Sequence, residues 1–352
     1  MPSLILNSLE IQNFRAFRHL TIKQLGRVNL IVGKNSVGKS SLLEALRIYA
    51  GRNHYAIWKL LSERDEGQYP EQSEREQIQS KLETIKYLFH GRQSLNEVRL
   101  PAQIGEVKSR VKSVSIEFGW SGKDIDDYRT PEDERPEIRP KLTIRVGNHE
   151  PIIDRFHTGL PIASDIESIN CTSIPVHGLS RSDVDLLWSR IALTQNEQRI
   201  VDALNIITSR VERVSIISNP ELSMARTPVV KLKDSDFPIP LQSLGDGMNR
   251  LFYIALALVN SRNGLLLIDE VGSGLHYSIQ HELWRLVFTL ASRLNVQVFA
   301  TTHSNDCILA FQIAAQENKD EEGMLIRLEK RGNELYLYCL TKSVWQLLHV
   351  KI

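Results

Sequence analysis

A chain of 352 residues has room for one large domain or two ordinary ones, with ample material for a core. Its 43 Lys and Arg against 42 Asp and Glu leave a net charge of +1, so no global field points to nucleic acid or an anionic membrane, and any such contact must be a local patch. Cys171, Cys307 and Cys339 are far apart and lack paired spacing, so they read as small buried residues in a reduced compartment and not as metal ligands.

The first residues show no basic region followed by an apolar core, hence no signal peptide, and the longest apolar run, 251–259, is about half of what a membrane span needs. A soluble, cytoplasmic protein with no membrane partner is expected. Residues 4–11 and 18–22 pattern as two strands joined by the loop Asn13-Phe14-Arg15-Ala16-Phe17; a hairpin running straight into the next strand predicts a mixed sheet. The stretch Leu9-Glu10-Ile11-Gln12-Asn13-Phe14-Arg15-Ala16-Phe17 resembles the opening of ABC-type ATPases of the RecF, SMC and OLD group, in which this strand and turn precede the Walker A loop.

Next comes Val28-Asn29-Leu30-Ile31-Val32, suited to a buried strand, and then Gly33-Lys34-Asn35-Ser36-Val37-Gly38-Lys39-Ser40, which has P-loop spacing; Ser41-Leu42-Leu43-Glu44-Ala45-Leu46 continues in helical period. Gly33 and Gly38 let backbone N–H groups turn in around phosphate oxygens, and the helix N-terminus adds its partial positive charge. In that arrangement Lys39 bridges the β- and γ-phosphates and Ser40 holds Mg2+ through its hydroxyl. Residues 33–41 are thus the candidate nucleotide cradle.

Residues 51–110 are charged, and 77–89 place Ile78, Leu82, Ile85, Leu88 and Phe89 on one helical side, so an inserted helical arm over about 52–110 is expected. Strands are expected over 113–118 and 142–146 with an acidic exposed loop between them at 122–140, whereas 152–175 has no clear assignment. Residues 181–191 read as a helix, Thr194-Gln195-Asn196-Glu197 as a capping box opening a second helix to about 207, and 211–218 and 229–232 as strands. No internal repeat is visible.

Ser243-Leu244-Gly245-Asp246-Gly247-Met248-Asn249-Arg250 places serine and glycines before an apolar helix, an anion-seeking N-terminus. Leu265-Leu266-Leu267-Ile268-Asp269-Glu270 is a buried strand ending in two carboxylates, the Walker B arrangement, in which Asp269 orients Mg2+ through its waters and Glu270 polarises the attacking water. Gly272-Ser273-Gly274-Leu275-His276 follows, and Val296-Gln297-Val298-Phe299-Ala300-Thr301-Thr302-His303-Ser304 reads as a strand ending in a histidine. Residues 325–328 and 335–340 look like a closing hairpin.

In the ABC-type family these segments resemble, in order, the signature motif, Walker B, the D-loop and the switch histidine. The signature departs from its usual form, with Leu244 where a first glycine is common and Asp246 where glutamine is. A Q-loop is not placed; Gln79 and Gln103 are the glutamines considered. The resemblance implies an α/β P-loop NTPase fold: an ABC-type ATPase head with a mixed β-sheet flanked by helices, one domain with a split core at 1–50 and about 111–352. It implies ATP and Mg2+ as cofactors, Lys39, Glu270 and His303 as catalytic residues, and Ser40 and Asp269 at the metal. Ser243, Gly245 and Gly247 would meet nucleotide held by a second copy, making an ATP-gated homodimer. The stretch after His303 is too short for the Toprim nuclease of OLD proteins, so the likeness is to stand-alone OLD-like ATPases that work with a separately encoded effector, a nuclease or toxin, often in anti-phage defence. A RecF-like repair ATPase bound to DNA is the alternative, and a transporter's energising subunit is disfavoured.

Overall fold

β3 (Val28–Val32) is buried at all five positions, as a strand covered on both faces must be. Its one polar member, Asn29, is satisfied: it accepts from Gly26 N and donates to the carbonyls of Gly26 and Val298. The computed structural model describes residues 3–64, 74–92, 100–121, 139–154, 166–218, 226–318, 322–332 and 334–341, and the chain divides into two units.

The first unit comprises Met1–Ile5, Leu25–Leu43 and Asn170–Ile352. Its larger sheet contains β3, β8 (Cys171–Ile174), β12 (Leu265–Ile268), β13 (Gln297–Thr302), β14 (Gly323–Arg331) and β15 (Glu334–Leu340), in the order β15-β14-β3-β13-β12-β8. All pairs are parallel except the closing hairpin β14–β15, so the sheet is mixed as expected, but through that hairpin and not the opening one. A smaller sheet has the order β11-β10-β9, from β9 (Val211–Ser218), β10 (Arg226–Leu232) and β11 (Ile239–Pro240). The helices are α4 (Arg181–Ser189), α5 (Gln195–Leu204), α6 (Asp246–Asn260), α7 (Tyr277–Leu294) and α8 (Asn305–Glu317).

One apolar core joins β3, β12 and β13 to α6, α7 and α8. α7 and α8 lock through Phe311, whose ring stands edge-on to Trp284 at 4.9 Å between centroids. α7 stops at Leu294 because Asn295 takes the left-handed conformation (φ 54°), a geometry its short polar side chain tolerates.

The second unit comprises Leu6–Gln24 and Glu44–Ile169. Here β1 (Leu9–Phe14), β2 (Phe17–Ile22), β4 (Ala102–Gly105), β5 (Ser113–Ser121), β6 (Arg139–Val146) and β7 (Ile152–Asp154) form an antiparallel sheet in the order β2-β1-β4-β5-β6-β7. α1 (Lys39–Gly51) begins in the first unit and runs into this one, which also holds α2 (His54–Glu63) and α3 (Glu74–Ile85). The tight turn at Arg15 (φ 46°) pairs Phe14 with Phe17, and its guanidinium meets Glu44 at 2.7 Å; Arg64 binds the same carboxylate.

Several expectations change. The opening hairpin does not join the P-loop strand's sheet but pairs with β4 in the antiparallel one. The stretch 52–110 is helical only in part, since β4 lies within it, and the second unit takes in far more of the chain than that arm. Of the expected acidic loop, 122–138 lies outside the described residues. The unassigned stretch supplies β7 and β8. At α5, Thr194 caps through Asn196 N, but Glu197 accepts from Leu193 N rather than from Thr194. Cys307 is buried, whereas Cys339 is exposed.

Candidate active site at the carboxyl edge of the parallel sheet

β3, β12 and β13 are parallel neighbours, so the loops that leave their carboxyl ends share one edge of the sheet, where open α/β sheets bind ligands. The P-loop leaves β3 there. Gly33 (φ 153°) could not be another residue without local rearrangement: an added Cβ would stand 2.4 Å from Leu328 O and 2.9 Å from Val37 Cγ1. Lys34, Asn35 and Ser36 are exposed, Val37 is buried beneath them, Gly38 has φ 107°, and Ser41 is half-buried in the first turn of α1. The Lys39 ammonium lies back in the loop, donating to Gly33 O at 2.8 Å and Lys34 O at 3.3 Å.

Walker B meets this loop directly. Ser40 Oγ donates to Asp269 Oδ2 at 2.8 Å, and Thr301 Oγ1 at the end of β13 donates to Asp269 Oδ1. Glu270 Oε1 lies 3.7 Å from Lys39 Nζ, and Glu270 Oε2 accepts from His303 Nδ1 at 2.8 Å. A carboxylate can only accept here, so Nδ1 of the imidazole carries a hydrogen.

Glu270 is held in an unusual backbone state. Its φ is +50°, the left-handed region that costs a side-chain-bearing residue about 1 kcal/mol or more. Bonds on both sides offset this: its N–H donates to Thr301 Oγ1 at 2.9 Å, and its carbonyl accepts from Ser273 N at 3.0 Å and Arg250 Nη2 at 2.8 Å. The Glu270 carboxylate is therefore aimed by its own main chain.

A family model described as "AAA domain, putative AbiEii toxin, Type IV TA system" matches residues 28–308, from the P-loop strand to just past the histidine. The chain belongs to this AAA domain family. It is similar, at 22% identity over 96% of its length and 93% of the other's, to a Helicobacter pylori protein named "ATP/GTP phosphatase". Among solved structures it resembles an SMC head bound to the C-winged helix domain of ScpA (TM-score 0.52, 10% identity, covering 97% of this chain and 99% of that one). It also resembles an Smc head with an extended coiled coil bound to the C-terminal domain of ScpA derived from Pyrococcus furiosus (TM-score 0.51, 11% identity, 97% and 98%). The fold is the ABC-type P-loop fold of those heads, and the enzyme class is ATPase.

In this AAA domain protein the donors near Walker B suit Mg2+: Ser40 Oγ and Asp269 Oδ2 are two hard oxygens 2.8 Å apart beside the phosphate loop, and the ion is commonly held by one or two protein oxygens plus phosphates. Lys39, Ser40, Asp269, Glu270 and His303 thus come together. Ser243, Gly245 and Gly247 do not join them: among the described residues none of the three hydrogen-bonds to those side chains.

Helix α6 starts at Asp246, its capping position is Gly245 (φ 97°), and Ser243 sits one turn earlier in the short 3-10 segment Leu241–Leu244. Ser243 and Gly245 are exposed, whereas a Cβ on Gly247 would stand 3.3 Å from Gly274 O of the D-loop-like stretch. His276 caps α7 by accepting from Ser278 N, a structural role. Gln103 lies in β4, paired with Gln12, and Gln79 lies in α3.

Two residues that sequence reasoning did not select act at the site. Thr301 binds both carboxylate residues, and Arg250 forks onto Asp269 O at 2.6 Å, Glu270 O at 2.8 Å and Pro175 O at 3.2 Å. A signal existed for Arg250: it is the charged residue that opens an otherwise apolar helical run.

Proposed function

We propose that the protein is an ATP-gated homodimer that hydrolyses ATP to ADP and phosphate and, through assembly and release, regulates a separately encoded effector in anti-phage defence. The observation that supports this most is the meeting of Lys39, Ser40, Asp269, Glu270 and His303 at one sheet edge, with Ser243 and Gly245 exposed at the start of α6 and available to a second copy. Lys39 moves from the loop carbonyls to the phosphates and balances their charge. Glu270 accepts the proton of the attacking water, and His303, which donates to that carboxylate through Nδ1, meets a phosphate oxygen through Nε2–H as the doubly protonated imidazolium. Ser40 and Asp269 would hold Mg2+, which would supply neutralisation of phosphate charge.

The partner's Gly245-to-Gly247 turn closes over the γ-phosphate, so hydrolysis loosens the pair. The effector reading rests on the family's toxin–antitoxin description and on the likeness to stand-alone OLD-like ATPases.

The test is complementation between two inactive chains. Lys39→Ala empties its own pocket, and Ser243→Arg, at an exposed position, blocks the neighbour's. Mixed in equal amounts they regain roughly a quarter of wild-type ATPase activity, because half the dimers are mixed and each carries one complete site. Full activity of Ser243→Arg alone, or none on mixing, overturns the shared site. Duplex-DNA binding that weakens steeply with salt would favour a repair ATPase instead.

A further inference from the structure

Arg250 stands where stability alone would not put it. Its side chain is buried, with the residue 5% exposed, and among the described residues its guanidinium has carbonyl partners and no carboxylate within ion-pair distance. Its Nε has no hydrogen-bond partner. Burial pulls its pKa down to about 10 despite the nearby Asp269 and Glu270. The helix is apolar for the nine residues that follow it, so an aliphatic side chain here would spare that desolvation.

We infer that Arg250 is a positioning residue for hydrolysis, which ties the first turn of α6 to the backbone of Glu270 and so makes the aim of the hydrolytic carboxylate depend on where that helix end sits. Three features carry this. Arg250 lies four residues, about one helical turn, beyond Asp246, so a displacement at the start of α6 reaches the guanidinium through a rigid element. The guanidinium meets the carbonyls of both Walker B acids, one of them Glu270 with φ +50°. The same glutamate carbonyl accepts from Ser273 N, so the D-loop-like stretch and α6 converge on one oxygen. Only a planar fork spans the carbonyls of Asp269, Glu270 and Pro175 together; a lysine ammonium is a single point on a flexible stem.

This coupling rests on the proposed reading in one respect, that the start of α6 meets the partner's nucleotide. ATP bound in one chain then sets the glutamate of the other.

The test uses Arg250→Lys and Arg250→Ala. Arg250 lines a cavity of about 420 Å3, which gives free guanidinium a route into the space Arg250→Ala leaves. The expected result is a kcat at least tenfold lower in both variants, with affinity for a fluorescent ATP analogue within twofold of wild type. Millimolar guanidinium restores much of the Arg250→Ala rate, and methylammonium does not. A kcat within twofold of wild type, a loss that guanidinium leaves unchanged, or nucleotide affinity falling in step with kcat overturns the inference. Sedimentation of wild-type protein with ATP is read in parallel. Absence of a dimer there sinks the shared-site reading, while guanidinium rescue still reports the hold of Arg250 on its own chain's Glu270.

Discussion

His303 donates its Nδ1 hydrogen to Glu270 Oε2 across 2.8 Å, although 33 positions separate the two. One carboxylate oxygen is thereby engaged, and the other lies 3.7 Å from the Lys39 ammonium in the loop of P-loop spacing. Glu270→Gln is therefore expected to cut kcat by about 100-fold or more while retaining nucleotide and trapping the ATP-bound dimer. His303→Ala is expected to lose roughly 10- to 100-fold in kcat with a smaller change in nucleotide affinity. Phosphate-release kinetics with analogue binding checks both, and a Glu270→Gln protein turning over at the normal rate refutes the base assignment.

Ser40 and Asp269 are the oxygen pair suited to Mg2+. Ser40→Ala is expected to raise the Mg2+ concentration for half-maximal hydrolysis by about tenfold or more, since loss of a supporting oxygen costs on the order of 10- to 100-fold in metal affinity. A Mg2+ titration of turnover decides it, and an unshifted midpoint counts against the site.

Thr301 Oγ1 donates to the Asp269 carboxylate and accepts from the Glu270 amide. Thr301→Val keeps the shape but strands that amide, so stability is expected to fall by about 1–3 kcal/mol, together with kcat. Thr301→Ser, which keeps the hydroxyl, is expected to recover most of both. Urea melts beside turnover make the comparison, and a Thr301→Val protein with wild-type midpoint and rate contradicts this role.

His54 opens α2 buried, donating through Nε2 to Leu142 O at 2.9 Å while Nδ1 has no partner. Burial lowers its pKa from the ordinary 6.5. The unfolded chain thus takes up the proton first, so stability is full above about pH 6.5 and is lost as pH falls below it towards the folded-state value. His54→Gln, which can still donate to Leu142 O, is expected to flatten the acid limb of a melting-temperature profile between pH 5 and 7. An unchanged acid limb would exclude His54 as its source.

What could be read from the residues were the pieces whose chemistry is local. Gly33 to Ser40 is contiguous, Leu265 to Glu270 is one strand and its end, and His303 closes another; each identity follows from a few adjacent residues. The closing hairpin was readable for the same reason, as strand alternation around a turn. The opening hairpin was legible as a hairpin but not in its sheet, because the edge it joins belongs to β4, about ninety positions away. β4 itself has four residues, too few for a period to emerge from a charged stretch.

The sequence by itself determined that a loop with P-loop spacing, a pair of carboxylates and a histidine lie at the ends of buried strands, since each is written in a short, ordered run of adjacent residues. Only the tertiary structure decided how they are aimed. The partners that hold Glu270 are a hydroxyl from β13 and a guanidinium from α6 acting on main-chain atoms. Every residue carries the same main-chain carbonyl and amide, so no pattern of side chains announces which of them will be grasped; that depends on where parallel strands and a helix end come to rest together.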